Sequence, residues 1–265
     1  MSPDSYWLWA VATCDTKRRD AIVELRTLIS ADDRAEAARF RRERETRQFL
    51  MSRALVRLAL SERSAIAPVD WRFARDENSR PFVSAPELDP RPWFSISHTD
   101  GLIACLTSLS QQAAVDVEKI EPEGSLPQVA EEVFSPEEQE SLRASSGSSE
   151  WTRRFFRYWT LKEAYAKARG LGLKMRLSDV SFHWGEDGGI EARFAPALAD
   201  NPYAWRFWNC DLGADHTISI AARVESHQPC ELRVRSPRGD APQLYSLKHR
   251  SQPDPGIPGV RLAHH

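Results

Sequence analysis

In the middle of its length the chain reads Ala114-Val115-Asp116-Val117-Glu118, a run in which apolar and acidic side chains alternate. Because successive side chains of a β-strand point to opposite faces, the run predicts a strand with both valines in the core and both carboxylates on the other face. Like charges so close repel each other unless water or a cation intervenes, and hard cations such as Mg²⁺ select such oxygen pairs. A strand whose acidic face is turned to solvent is the ordinary alternative.

The order of helical and strand-like segments is similar on both sides of this run. Before it we predict a strand over residues 6–13, helices within 17–64, and strands over 71–74, 93–97 and 102–107. After the strand at 112–118 we predict a helix starting at Ser135, a long helix over 150–169, and strands over 180–183, 190–194, 204–210 and 217–224. Because helices followed by strands occur twice along the chain, we predict an α+β fold made of a pseudo-two-fold pair of similar α/β halves.

The predicted organisation has three parts. Residues 1–110 form an N-terminal half, residues 111–236 form a C-terminal half, and the join lies near residues 108–112. Residues 237–265 are rich in Pro, Ser, Arg and His and show little apolar periodicity. We expect this tail to be poorly ordered or to wrap around the surface.

Composition narrows the class of protein. A chain of 265 residues with 41% hydrophobic content can bury one large core or two smaller ones, which is typical of a compact catalytic protein. Lys+Arg 36 and Asp+Glu 38 nearly cancel, so no overall field favours nucleic acid or an anionic membrane. The apolar run 6–12 lacks a basic flank and is too short to span a bilayer.

The cysteines indicate the compartment. Cys14, Cys105, Cys210 and Cys230 are widely separated, with neither the spacing of a zinc site nor the density of a secreted disulfide scaffold. Free thiols in a cytoplasmic protein are the simplest interpretation.

A basic segment precedes the strands of the first half. Residues 39–57 contain seven arginines interleaved with apolar side chains, which predicts an amphipathic helix with a strongly basic face. Such a face can simply be solvated, or it can bind an anion; Arg47 and Arg53 are candidates for the second role.

The long helix of the second half carries further candidates. Glu163 and Lys167 lie four residues apart and therefore share a face, with Lys162 beside them. The helix is followed by Gly170 and Gly172, whose backbone freedom would let a phosphate approach closely. An exposed Glu–Lys pair without function is the alternative.

A third group ends the strand at residues 93–97. Ser97 and His98 lie where donors could point at a ligand phosphate, although a histidine at a strand end is often structural.

Taken in order, these motifs resemble the signature of a known family. They are Phe94-Ser95-Ile96-Ser97-His98-Thr99, Ala114 to Glu118, Trp159-Thr160-Leu161-Lys162-Glu163-Ala164-Tyr165-Ala166-Lys167, Lys167 to Leu173, and Phe134 to Glu138. Their order and spacing are similar to those of the Sfp-type 4′-phosphopantetheinyl transferases, over roughly residues 6 to 225. Each motif alone is short, but the ordered set is specific.

The resemblance implies a fold, a site and a reaction. It implies two α+β halves with the active site in the cleft between them, in a monomer. The reaction would transfer 4′-phosphopantetheine from coenzyme A to a serine of an apo acyl carrier protein or peptidyl carrier domain and release adenosine 3′,5′-bisphosphate. The required cation would be Mg²⁺, with Mn²⁺ as a possible substitute. No nucleic-acid or membrane partner is expected.

Site roles also follow from the resemblance. Asp116, Glu118 and Glu163 would hold the metal against the pyrophosphate, and Glu163 would accept the proton of the carrier serine, directly or through a water. The remaining expected contacts all serve coenzyme A: Lys162 and Lys167 on its phosphates, Ser97 and His98 near the adenosine and its 3′-phosphate, and Arg47, Arg53 and Arg80 on phosphate.

Two departures and two alternatives accompany this prediction. Ala114 replaces the usual Gly and Ser95 the usual Asn, while all three carboxylates are present. A non-catalytic coenzyme A or nucleotide-binding protein and a metal-dependent phosphohydrolase are the alternative functions. The identity of the carrier protein does not follow from the sequence.

Overall fold

A computed structural model describes residues 5–12, 27–78, 80–110, 112–122, 124–185, 188–224 and 231–235. Cys14, Cys230 and the predicted tail 237–265 lie outside these residues, as do residues 186–187 of the predicted turn and the start of the predicted helical region. Among the described helices, none has the length and apolar character needed to cross a membrane.

The described residues of the first half contribute five strands and two helices. They are β1 (Ser5–Ala12), α1 (Ala31–Ala37), α2 (Glu43–Ser61), β2 (Arg72–Arg75), β3 (Pro81–Ala85), β4 (Trp93–Thr99) and β5 (Leu102–Ser108). Strands β2 and β3 form a two-stranded antiparallel sheet, whereas β1 and β4 both pair with β5.

In the part of the second half that the structure describes there are three helices and six strands. They are β6 (Ala113–Lys119), α3 (Leu126–Val133), α4 (Pro136–Arg143), α5 (Ser149–Arg169), β7 (Val180–Trp184), β8 (Ile190–Phe194), β9 (Trp205–Leu212), β10 (His216–Arg223) and β11 (Glu231–Arg235). Strands β7 and β8 form a hairpin, and β6 and β9 both pair with β10.

The two halves share one topology. With β11 set aside, each has a first strand, a group of helices, a two-stranded sheet and two final strands, and the main sheets run β1-β5-β4 and β6-β10-β9. In both, the last strand lies between the first and the penultimate. The predicted α+β fold with two similar halves is confirmed; the exact boundary between residues 110 and 111 stays a prediction.

Some elements were not predicted. Strand β11 extends the first sheet by parallel pairing with β1, although in sequence it lies at the end of the second half. Strand β3 and helix α3 were also missed, and helix α2 begins at Glu43 rather than at residue 39. The strand predicted over residues 71–74 is observed one residue later, as β2, and Trp71 is buried immediately before it.

Local signals set several boundaries. Ser30 and Asp33 form a capping box at α1, and Ser135 and Glu138 form another at α4, where Pro136 takes the first helical position. Gly170 ends α5 in a left-handed conformation with φ 67°.

The described residues form three apolar clusters, one of which holds the halves together. One lies in the first half around α2 and one in the second half around α5. The third joins the two main sheets through residues such as Tyr6, Leu8, Val115, Val117 and Ile220. Its burial fixes how the halves face each other and therefore shapes the cleft between them.

Candidate active site

Asp116 is the most deeply buried of the predicted metal-binding residues. The residue is 3% exposed, and its Oδ1 accepts hydrogen bonds from Ser97 Oγ at 2.9 Å and from Lys167 Nζ at 2.5 Å. Its Oδ2 is also buried, and among the described residues it has no hydrogen-bond partner. An unpartnered buried carboxylate oxygen is costly, so a ligand that satisfies it would be strongly favoured.

Strand β6 does not present its acidic face to solvent. Residues 113–117 are buried on both faces, because α5 lies over one side and the first half over the other. The exposed-strand alternative is therefore wrong for Asp116.

Glu118 and Glu163 lie within electrostatic reach of Asp116. Burial, together with the charge of Asp116, raises the pKa of Glu118 to about 7. Burial and the same charge raise the pKa of Glu163, and Lys167 opposes the shift. The strand β6 and the helix α5 thus bring three mutually repelling carboxylates into one neighbourhood.

Thr99 fixes one of these carboxylates. Its Oγ1 donates to Glu118 Oε2 at 3.2 Å. The residue belongs to the strand-end motif but was not singled out as a site residue from the sequence; its alternation with Ser95 and Ser97 along β4 was the available signal.

The described residues contain no group of three or more His, Cys, Asp or Glu side chains already gathered as a metal site. The donor chemistry nevertheless fits a hard cation, since the neighbourhood offers carboxylate oxygens, one of them buried and unpartnered. The assignment of Asp116, Glu118 and Glu163 as ligands stays a prediction.

A cleft of about 570 Å³ lies beside Lys167, between the halves. Residues from both halves line it, including the predicted Arg80 and Lys167 and the unpredicted Trp93 and Lys174. Arg80 pairs with Asp76 at 2.8 Å, and its guanidinium lies 5.7 Å from the centre of the Trp93 ring. The cleft therefore offers three cationic side chains and an aromatic surface.

Besides Lys162, four residues predicted to contact coenzyme A do not line this cleft. Ser97 is buried and bonded to Asp116 and Lys167. The other three are Arg47 and Arg53 of α2 and His98 of β4. Arg47 is exposed and pairs with Glu43, and His98 is exposed. Arg53 is mostly buried, close to Asp33 and Glu36. The structure therefore gives these three residues no shared site with Lys167, and their contact with coenzyme A stays a prediction.

Lys162 does not fit its predicted role. Its side chain is fully buried, and its ammonium pairs with Glu138 at 2.7 Å and donates to Leu177 O at 2.9 Å and to Val180 O. Burial lowers the pKa of Lys162, and the charge of Glu138 opposes that shift. The prediction that Lys162 contacts a phosphate is wrong in this structure, because no part of the ammonium faces the cleft.

Known proteins match both halves of the chain. A family model described as the 4′-phosphopantetheinyl transferase superfamily matches residues 112–221, and one described as the N-terminal part of a 4′-phosphopantetheinyl transferase matches residues 16–110. The 4′-phosphopantetheinyl transferase Sfp of Bacillus subtilis (strain 168) is 30% identical over 62% of this chain and 70% of its own. The chain belongs to the 4′-phosphopantetheinyl transferase superfamily.

Other relatives of this transferase come from distant organisms. The phosphopantetheinyl transferase of Thraustochytrium sp. is 29% identical over 85% of this chain and 80% of its own. The L-aminoadipate-semialdehyde dehydrogenase-phosphopantetheinyl transferase of Mus musculus is 26% identical over 82% and 74%. The family predicted from the motifs is confirmed, and with it the class of enzyme.

Proposed function

We propose that this transferase moves 4′-phosphopantetheine from coenzyme A to a serine of an apo acyl carrier protein or peptidyl carrier domain, with Mg²⁺ or Mn²⁺, and releases adenosine 3′,5′-bisphosphate. The observation that carries the proposal is Asp116, buried with one unpartnered oxygen and bonded to Lys167, a residue that lines a cleft shared by both halves. Because one chain supplies both sides of the cleft, we propose that a monomer is active.

The cation would be held by Asp116, Glu118 and Glu163. When bound, it would neutralise charge on the phosphate oxygens, which is the main requirement of phosphoryl-type transfer. The mutual repulsion of these carboxylates and the unpartnered Asp116 Oδ2 support this assignment.

The phosphates of coenzyme A would lie along Lys167 and Arg80, and Lys174 extends the same cationic wall. Lys167 already spans Asp116 and Ser97, so its ammonium is oriented before substrate arrives. Preorganised charge of this kind costs little reorganisation during the reaction. Trp93 supplies an aromatic face suited to stacking a base.

Glu163 would accept the proton of the carrier serine. It is half-buried on α5, one helical turn before Lys167, and so lies near the place where the serine must attack. The proton would pass directly or through one water, and the diphosphate link of coenzyme A would break at the phosphorus attached to pantetheine.

We also propose a cytoplasmic site of action. The free thiols of Cys105 and Cys210 are typical of a reducing compartment.

The decisive experiment is intact-mass measurement of an apo carrier protein after incubation with the transferase, coenzyme A and Mg²⁺. We expect the carrier to gain the mass of phosphopantetheine, with no gain in the presence of a chelator or when the acceptor serine is replaced by alanine. A coenzyme A-binding protein without chemistry would leave the carrier unchanged. A phosphohydrolase would cleave coenzyme A without any carrier.

A second expected result concerns Gly170. A Cβ at this position would lie 2.2 Å from Arg80 Nη1, and the backbone has φ +67°. Gly170→Ala should therefore displace Arg80 from the cleft and weaken coenzyme A binding by roughly tenfold, the loss of about one charge-assisted contact. Calorimetric titration with coenzyme A measures the change.

Gly147→Ala is the matched control for this substitution. Gly147 also has positive φ, at +77°, but an added Cβ would meet no atom within 4 Å among the described residues. Both variants should lose about 1 kcal/mol of stability from backbone strain. Equal coenzyme A affinity in the two variants would show that Arg80 does not bind the ligand.

A further inference from the structure

The two halves meet at the edges of their main sheets. Strand β4 ends the order β11-β1-β5-β4, and β6 begins the order β6-β10-β9. In the described residues these two edge strands lie side by side without being assigned to one sheet, so their facing backbone groups need other partners.

Side-chain hydroxyls of β4 supply those partners. Three alternate residues of β4 each accept a hydrogen bond from a backbone N–H of β6. We call these contacts the hydroxyl rungs: Ser95 to Val115, Ser97 to Val117, and Thr99 to Lys119. Their donor–acceptor distances are 3.2, 3.4 and 3.2 Å. The register is the same at each rung, so the hydroxyls replace the carbonyl groups of an ordinary strand pair.

Two of the three rungs also hold a carboxylate. The Ser97 hydroxyl donates to Asp116 Oδ1 at 2.9 Å, and the Thr99 hydroxyl donates to Glu118 Oε2 at 3.2 Å. The equivalent position at the Ser95 rung is Ala114, which has no carboxylate. The Ser95 rung therefore has the same backbone contact as the Thr99 rung but lacks the contact with a carboxylate.

Each hydroxyl has a single proton, and this fixes the direction of the contacts. Because the hydroxyl oxygen accepts from β6, its proton is free to be donated to the carboxylate. One oxygen of Asp116 is then engaged by Ser97 and Lys167, and the other, Oδ2, is left buried and unpartnered. At Glu118, Thr99 engages Oε2 in the same way.

We propose that Ser97 and Thr99 are positioning residues that tie the alignment of the two halves to the cation site, by selecting which oxygens of Asp116 and Glu118 face the ion. The inference rests on the proposed metal role of those carboxylates. The hydroxyls do not touch substrate phosphorus in this role; they act through the carboxylates. Outer partners of metal ligands typically contribute 10- to 100-fold to metal affinity.

Thr99→Val tests the proposal, since valine keeps the shape of threonine and removes the hydroxyl. We expect the Mg²⁺ concentration that half-maximally stabilises the coenzyme A-bound protein against heat to rise 10- to 100-fold. Ser97→Ala should act in the same direction. Thr99→Ser, which keeps the hydroxyl, should retain the affinity of the unaltered protein, and this variant separates loss of the contact from a folding defect.

Ser95→Ala is the matched control, because it removes a rung without a carboxylate. It should lose a similar amount of folding stability but, with coenzyme A kept saturating because Ser95 lines the cleft, keep the Mg²⁺ dependence of the unaltered protein. Equal Mg²⁺ dependence of Thr99→Val and Ser95→Ala would overturn the inference and leave the proposed function standing. If the unaltered protein gained no stability from Mg²⁺ and transferred phosphopantetheine without it, the proposed cation site would fail as well.

Discussion

Asp116→Asn is expected to slow phosphopantetheine transfer by about 10²- to 10³-fold, the usual cost of removing one fixed electrostatic stabiliser. The substitution preserves the shape of the side chain and can still accept a hydrogen bond from Lys167 or Ser97. It removes the negative charge and places an amide where the unpartnered Oδ2 lies. Initial rates with a saturating apo carrier protein, at several Mg²⁺ concentrations, measure the effect.

Substitution of Glu163, a second carboxylate of the site, should also slow phosphopantetheine transfer. Glu163→Gln is expected to reduce the transfer rate by a comparable factor and to abolish stabilisation by Mg²⁺. It should also make the metal-free protein more stable, since burial and the charge of Asp116 already disfavour the ionised form of Glu163. A gain in stability combined with a loss of activity is the signature of a site whose charges serve function rather than folding.

Asp211→Asn provides the control for loss of a partly buried carboxylate. Asp211 pairs with Arg153 and Arg157 at 2.8 Å each, on the surface of the second half. This variant should keep both the transfer rate and the Mg²⁺ dependence. Full activity of Asp116→Asn would show that the transfer does not depend on this carboxylate, and the proposed site would be wrong.

The largest expected effect on stability comes from Lys162→Met. The substitution fills similar space but leaves Glu138 buried without its cation, and removal of one partner of a buried ion pair typically costs about 3–5 kcal/mol. Two backbone carbonyls, of Leu177 and Val180, would also lose their donor. Urea denaturation followed by circular dichroism measures the loss.

Lys174→Met separates a folding role from a ligand-binding role. Lys174 is exposed and lines the cleft, so its substitution should weaken coenzyme A binding and leave stability nearly unchanged. For Lys162→Met we expect a large loss of stability and unchanged coenzyme A binding, provided that binding is measured under conditions where the variant is folded. A Lys162→Met protein of normal stability with weakened coenzyme A binding would restore the role predicted from the motif.

The two residues that depart from the family pattern, Ser95 and Ala114, lie close together in the structure. Ser95 and Ala114 both line the cleft, and Ser95 bonds the backbone N–H that follows Ala114. Ser95 is shorter than the usual Asn, and Ala114, which lies beside it, is larger than the usual Gly. Their pairing was invisible from the sequence because the two positions belong to different sheets.

Local signals were predicted well. Alternation along residues 114–118, the helix start at Ser135 and the glycine stop at Gly170 depend on neighbours within a few residues, and all are present. The predicted basic face of α2 was less informative. Arg57 is buried against Asp33, a contact between two elements that no local pattern reveals.

The sequence by itself determined the family, the repeated order of elements and the residue types of the site, because motif spacing and periodicity are properties of the chain. Only the tertiary structure decided which lysine of α5 faces the cleft. Lys162 and Lys167 are five residues apart and so point in directions roughly 140° from each other. The partners that distinguish them, Glu138 and Asp116, come from other elements, and packing alone brings those elements together.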